Sequence, residues 1–164
     1  RQAACASFFH CAETVDQAIA SGAGEAALWF MNAQPKVFGI PRLDWLEACR
    51  GSMPLHQNSN SGFVPLSGDD GGDLEDPMAV IRLMNRMHAG LPVDPVEVYD
   101  ALLPIDSVII GDVETCRRKL ARYSALGVDR VMCLMQMGFL PHEQVLQSIR
   151  TAGKHLIPEL APSA

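Results

Sequence analysis

The sequence predicts an α/β protein in which parallel strands alternate with helices. Three observations carry that expectation. About the last sixty residues read as strand, helix, strand, helix with short links, from "SVIIGD" (Ser107–Asp112) to "PHEQVLQSIRTAGKHLIP" (Pro141–Pro158). The run from Arg130 to Met135 is apolar on both alternating faces, as in a parallel strand covered from both sides. The chain also opens on an apolar run, Ala3 to Phe9, followed by residues at helical spacing. Short links between such segments imply βαβ units and hence a parallel sheet.

Taken in order, Ala3–Phe9 is the first strand and ends at His10. Val15, Ala18, Ile19, Gly22, Ala26, Trp29, Phe30 and Ala33 then recur at helix spacing, predicting one long helix. Glu13 and Asp16 put negative charge at its start, where the helix dipole favours it. Pro35 is expected to end it, because the residue before a proline is turned away from helical geometry. Pro41–Arg50 reads as a second helix with proline at its start. Residues 51–73 are dense in Gly, Ser, Asn, Pro and Asp, the composition of a long surface loop, either a lid or a disordered segment. A helix closed by Gly90 follows, with Met78, Ile81, Leu83, Met84 and Met87 on or near one face. Next comes a short helix capped by Asp94 with Pro95 at its first position. The helix after Asp112 is expected to turn Val113, Cys116, Leu120 and Tyr123 inward and to stop at Gly127. The last helix should turn Val145, Leu146, Ile149, Ala152, Gly153 and Leu156 inward. The whole of 1–164 reads as a single α/β domain.

Composition narrows the function classes. The 164 residues are 48% hydrophobic, enough for a real core, and carry a formal net charge of −6. Nucleic acid and anionic membrane surfaces both demand clustered Lys and Arg, so neither is an expected partner. No apolar run approaches the roughly 20 residues of a membrane helix, and the first residues lack the pattern of a signal peptide. Five cysteines, an odd number without a CxxC pair, sit in apolar-periodic segments. They read as small buried side chains in a reducing compartment, so a cytoplasmic location is expected. His10-Cys11 as a metal pair would need two further ligands that the spacing does not supply, and no metal is expected. Phosphate loops, a GxSxG elbow and HExxH are missing from the sequence. "SGDDGGD" lacks the spaced ligands and closing Glu of an EF-hand. Arg117-Arg118 reads as a solvated pair on the outer face of its helix.

Several segments together carry a resemblance. They are Ile110-Gly111-Asp112 with Glu114 and Cys116, Leu126-Gly127-Val128-Asp129 leading into the last strand, and Ser148-Ile149-Arg150 with Leu156-Ile157-Pro158. In order and spacing they resemble the C-terminal end of luciferase-like, FMN-dependent monooxygenases. "FFHCAETVDQA" (Phe8–Ala18) is similar to that family's sixth strand and the start of its helix. Val113 departs from the family, which usually has proline there. The likeness covers about the first twenty and the last fifty residues, and the middle is only compatible with it. It implies the C-terminal part of a (β/α)8 TIM barrel, contributing about its last three strands. It also implies reduced FMN, delivered by a reductase, and O2 acting on a small organic substrate. The other half of the barrel would then lie N-terminal to Arg1, and the isolated chain would be incomplete and inactive. A second reading stays open, a non-catalytic binding or subunit module derived from such a barrel. Three parallel strands leave two open edges to be covered, by a partner chain or by self-association.

Barrel active sites gather at the C-terminal ends of the strands. On this reading those ends are His10-Cys11, Gly111-Asp112 and Gln136-Met137-Gly138, with His142 just beyond. His10, Gln136 and Gly138 are the candidate cofactor-binding residues. His10 can hydrogen-bond a flavin edge or a substrate, or act as acid or base. Gln136 can hydrogen-bond the same groups. Gly138 can admit a flat ring or simply make a tight turn. Asp112 reads as a plain helix cap, and His142 as a solvated residue of a first helical turn. Cys133, Met132, Met135 and Met137 read as core packing. No catalytic residue is assigned, since the flavin phosphate and most of the ring are expected to be held by earlier strands.

Overall fold

The computed structural model describes residues 2–52 and 73–160. Among them run three strands and eight helices, in the order β1 (Ala4–Ala12), α1 (Val15–Ala20), α2 (Ala23–Phe38), α3 (Arg42–Ser52), α4 (Ala79–His88), α5 (Pro95–Leu102), β2 (Val108–Asp112), α6 (Val113–Ala125), β3 (Arg130–Leu134), α7 (His142–His155) and α8 (Ile157–Leu160). The expected loop at 51–73 falls almost wholly outside the described residues. Its first two residues instead complete α3.

The strands form one parallel sheet in the order β2-β1-β3. The α/β class with parallel strands is therefore present; among the described residues the strands do not close into a barrel. In a (β/α)8 barrel consecutive strands lie side by side, whereas here β1 separates the other two. The length of β1 allows this. Its C-terminal half, Phe8 to Ala12, pairs with Val108 to Asp112, and its N-terminal half, Ala4 to Phe8, pairs with Arg130 to Leu134. Asp129 anchors the start of β3, accepting from the Ala3 amide at 2.7 Å while its own amide donates to the Ala3 carbonyl at 2.9 Å.

Side-chain alternation assigns the faces. Phe9, Cys11 and Ile109 pack with Cys116, Leu120, Ala152 and Leu156, from α6, α7 and the residue following α7. Val108, Ile110 and Phe8 pack on the opposite side against Leu28, Leu46, Leu83 and Val98 of α2 to α5. Fully burying each such leucine or valine stabilises the fold by about 1.5–3 kcal/mol. Helices on both faces of the β1–β2 pair explain why those two strands read as continuous apolar runs.

Three expectations are corrected. The long first helix is two helices. Gly22 adopts φ +78°, and the Ser21 hydroxyl donates to the Ala18 carbonyl and accepts from the Ala23 amide, so α1 stops and α2 restarts. Pro35 lies inside α2 and does not end it. A proline there removes the hydrogen bond to the carbonyl four residues back. That carbonyl, Met31, accepts instead from the Trp45 indole at 2.9 Å, so α3 supplies the missing donor.

The second correction is β3. Its residues are almost all exposed, Met132 at 61%, where a strand covered on both faces was expected. The same uncovered side leaves Ile149 and Gly153 of α7 exposed, against the inward placing read from their spacing, while the polar Ser148 and Thr151 are buried. Third, the cysteines divide. Cys11, Cys49 and Cys116 are buried, Cys5 is half-buried and Cys133 is exposed on β3. Among the described residues no helix is long and apolar enough to cross a membrane.

Candidate functional site

Each strand delivers its C-terminal end to the same side of the sheet, because the three are parallel. β1 runs on past Phe9 through His10, Cys11 and Ala12, which therefore lie in the strand and not beyond it. Thr14 caps α1, accepting from the Gln17 amide at 3.2 Å. On the far side, Ser148 of α7 accepts from the Cys11 amide at 2.8 Å. Between α1 and α7 lies a cavity of about 320 Å³, lined by His10, Cys11, Ala12, Glu13, Gln17, Ala20, Ser21, Gln144 and Gln147.

His10 and Ser21 are the buried polar residues of this cavity. His10 is 3% exposed, and its Nδ1 has no hydrogen-bond partner among the described residues. Burial lowers its pKa to about 4, so the ring is neutral at physiological pH. Beneath it, Cys116 donates weakly toward the His10 carbonyl at 3.6 Å. A hydrogen bond with Cys11, together with burial, raises the Cys116 pKa and keeps it a thiol. It is thus a packing residue and not a nucleophile.

The other expected site residues are placed apart from this cavity. Gln136 donates from Nε2 to the Leu140 carbonyl at 2.8 Å, closing the turn after β3. Gly138 adopts φ +48°, and a Cβ there would lie 2.9 Å from Cε3 of Trp29. The flat ring lying against Gly138 is therefore the protein's own indole. Met137, between them, is fully buried in the core. Asp112 is the N-cap of α6, accepting from the Thr115 amide at 2.8 Å. His142 is an exposed residue at the start of α7. Arg117 is half-buried and ion-paired, with Glu114 at 2.5 Å and Glu159 at 2.7 Å.

Gln17, Ser21, Gln144 and Gln147 were not singled out from sequence, and Glu13 was read only as negative charge at a helix start. One local signal existed: Gln144 and Gln147 are three apart in a helix and so share a face. Nothing local says that this face meets His10. That follows from packing α7 on β1, which brings together residues some 137 apart.

A larger cleft, about 550 Å³, follows β3 between α6, α7 and α8, with Leu120, Val131, Met135, Ile149 and Leu160 in its walls. It is mainly apolar, and its one carboxylate, Asp129, is already engaged by the Ala3 amide. It marks the uncovered part of the sheet; the polar chemistry gathers at the His10 cavity.

No family model, no curated protein and no solved structure matches this chain.

Proposed function

We propose that the chain is the C-terminal part of a luciferase-like, FMN-dependent monooxygenase that uses reduced flavin and O2 to oxidise a small organic substrate. The observation that carries the reading is the succession of parallel strand–helix units, with the segments of resemblance at their junctions. Gly111-Asp112 joins β2 to α6, and Gly127-Val128-Asp129 joins α6 to β3. The exposed apolar residues of β3 also support it, since further strands and helices would cover them. In a barrel β2 and β3 would be neighbours, so the proposal requires β3 to exchange β1 for β2 once those strands are present.

The residues lining the His10 cavity do not fit the whole of FMN. They include no Lys or Arg, and their formal charge is the carboxylate of Glu13. A phosphate there would meet like charge without compensation. When bound elsewhere, reduced flavin supplies the reaction with O2; this chain's residues supply a neutral imidazole and carboxamides at the strand ends. No flavin step is assigned to them.

The competing reading is a non-catalytic binding or subunit module, favoured by the same free edge of β3. Fluorescence titration of FMN separates the two. The 164-residue chain should bind FMN weakly, and a longer product of the same gene should bind it tightly and consume O2 when the flavin is reduced. A longer product that binds no flavin would sink the enzyme reading. Tight, stoichiometric binding to the 164-residue chain would show that it holds a flavin site of its own and that the phosphate site has been misplaced.

A further inference from the structure

We infer that the His10 cavity takes a small uncharged ligand bearing a carboxamide, or an equivalent paired donor and acceptor, and discriminates against anions of the same shape. The inference rests on the proposal above only in treating this end of the sheet as the working end.

Two independent observations carry it. The first is the chemistry of the walls. Gln17 of α1 faces Gln144 and Gln147 of α7 across about 320 Å³, at the small end of ligand cavities. Each carboxamide offers two donors and an acceptor, so together they can satisfy both halves of an amide. Glu13 is the wall's carboxylate, and no cation among the described lining residues opposes it. An entering carboxylate could accept from the glutamine N–H groups but would lose its water and face the Glu13 carboxylate without a compensating cation, whereas an amide N–H would donate to that same carboxylate.

The second observation is the orphaned nitrogen of His10. Buried polar atoms nearly always have a partner. His10 Nδ1 has none among the described residues, although His10 lines a cavity with room for one. The neutral ring carries one donor and one acceptor nitrogen, which suits a neutral, hydrogen-bonding guest and offers an anion no charge.

Nicotinamide and nicotinate form a matched pair of probes, one ring carrying either an amide or a carboxylate. The 15N-labelled 164-residue chain is titrated with each at pH 7.5, following backbone and glutamine side-chain amides. Nicotinamide should give saturable shifts at Cys11, Gln144 and Gln147, and nicotinate should bind at least tenfold more weakly. Gln144 and Gln147 are exposed, so Gln144→Ala and Gln147→Ala keep the fold. Each should weaken nicotinamide by about fivefold, the effect of one lost hydrogen bond. Equal binding of nicotinate, no response to either probe, or binding indifferent to both substitutions would each overturn the inference. FMN takes no part in this experiment, so its failure leaves the flavin titration standing, and the reverse also holds.

Discussion

The amide of Cys11 donates to the hydroxyl of Ser148 at 2.8 Å, both groups buried and 137 residues apart in the chain. This bond fixes α7 over the end of β1 and so sets the width of the His10 cavity. Ser148→Ala leaves a buried N–H without its partner, which costs about 1–3 kcal/mol. Urea denaturation should show that loss, while Gln147→Ala, one residue away and exposed, should change stability by less than about 0.5 kcal/mol. Equal stabilities for wild type and Ser148→Ala would mean that the bond does not organise this end of the sheet.

Gly138→Ala should destabilise the chain by about 1–3 kcal/mol. The backbone there is left-handed at φ +48°, which a Cβ disfavours, and the added methyl would press on the Trp29 ring at 2.9 Å. Trp29 fluorescence offers a second readout, since the ring must shift to admit the methyl. Gly138→Ala combined with Trp29→Ala should recover the steric part of the loss but not the backbone part. A double variant whose losses simply add would refute the contact.

Stability should fall on mild acidification because of His10. Its folded pKa, about 4, lies below the ordinary value of 6.5. Between these values the unfolded chain binds a proton that the folded chain refuses. This contribution is therefore complete above about pH 6.5 and is lost as pH falls toward 4. From pH 7.5 to pH 5 the loss attributable to His10 is about 2 kcal/mol. His10→Gln should flatten that part of the profile. If variant and wild type lose stability in parallel over this range, His10 is not the titrating group.

Lys119 should matter for stability although it faces no ligand. It is 2% exposed, and its ammonium donates to the carbonyls of Ile105 at 2.9 Å and Val108 at 2.5 Å. It thereby closes the turn that leads into β2. Lys119→Met keeps much of the shape but strips these carbonyls of their donor, a loss of about 1–3 kcal/mol at pH 7. Burial lowers the lysine's pKa from 10.5 to about 8. Unfolding of the wild type therefore becomes harder as pH rises from about 8 toward 10.5, where the unfolded chain alone holds the proton. Thermal melts of the two proteins at pH 7 and pH 9.5 should show the stability difference widening. A constant difference would contradict the lowered pKa.

The sequence by itself determined what depends on neighbours a few residues apart. Asp94 and Asp112 cap the helices assigned to them, accepting amides two and three residues onward, because a cap is a local hydrogen bond. The three strands, their shared direction and most helix positions follow from apolar spacing and short links. What spacing could not convey was company. An apolar run such as Val131 to Met135 reads the same whether helices cover it or nothing does, and here it forms an exposed edge. The order β2-β1-β3 was equally hidden, since any strand with two free edges can accept either neighbour. Pro35 stays helical only because Trp45, ten residues on, supplies a donor to Met31. His10 alone among the three expected cofactor-binding residues lines the strand-end cavity; Gln136 and Gly138 turn to Leu140 and Trp29. Sequence brings those residues to the ends of strands; tertiary packing decides whether each faces open space or another part of the chain.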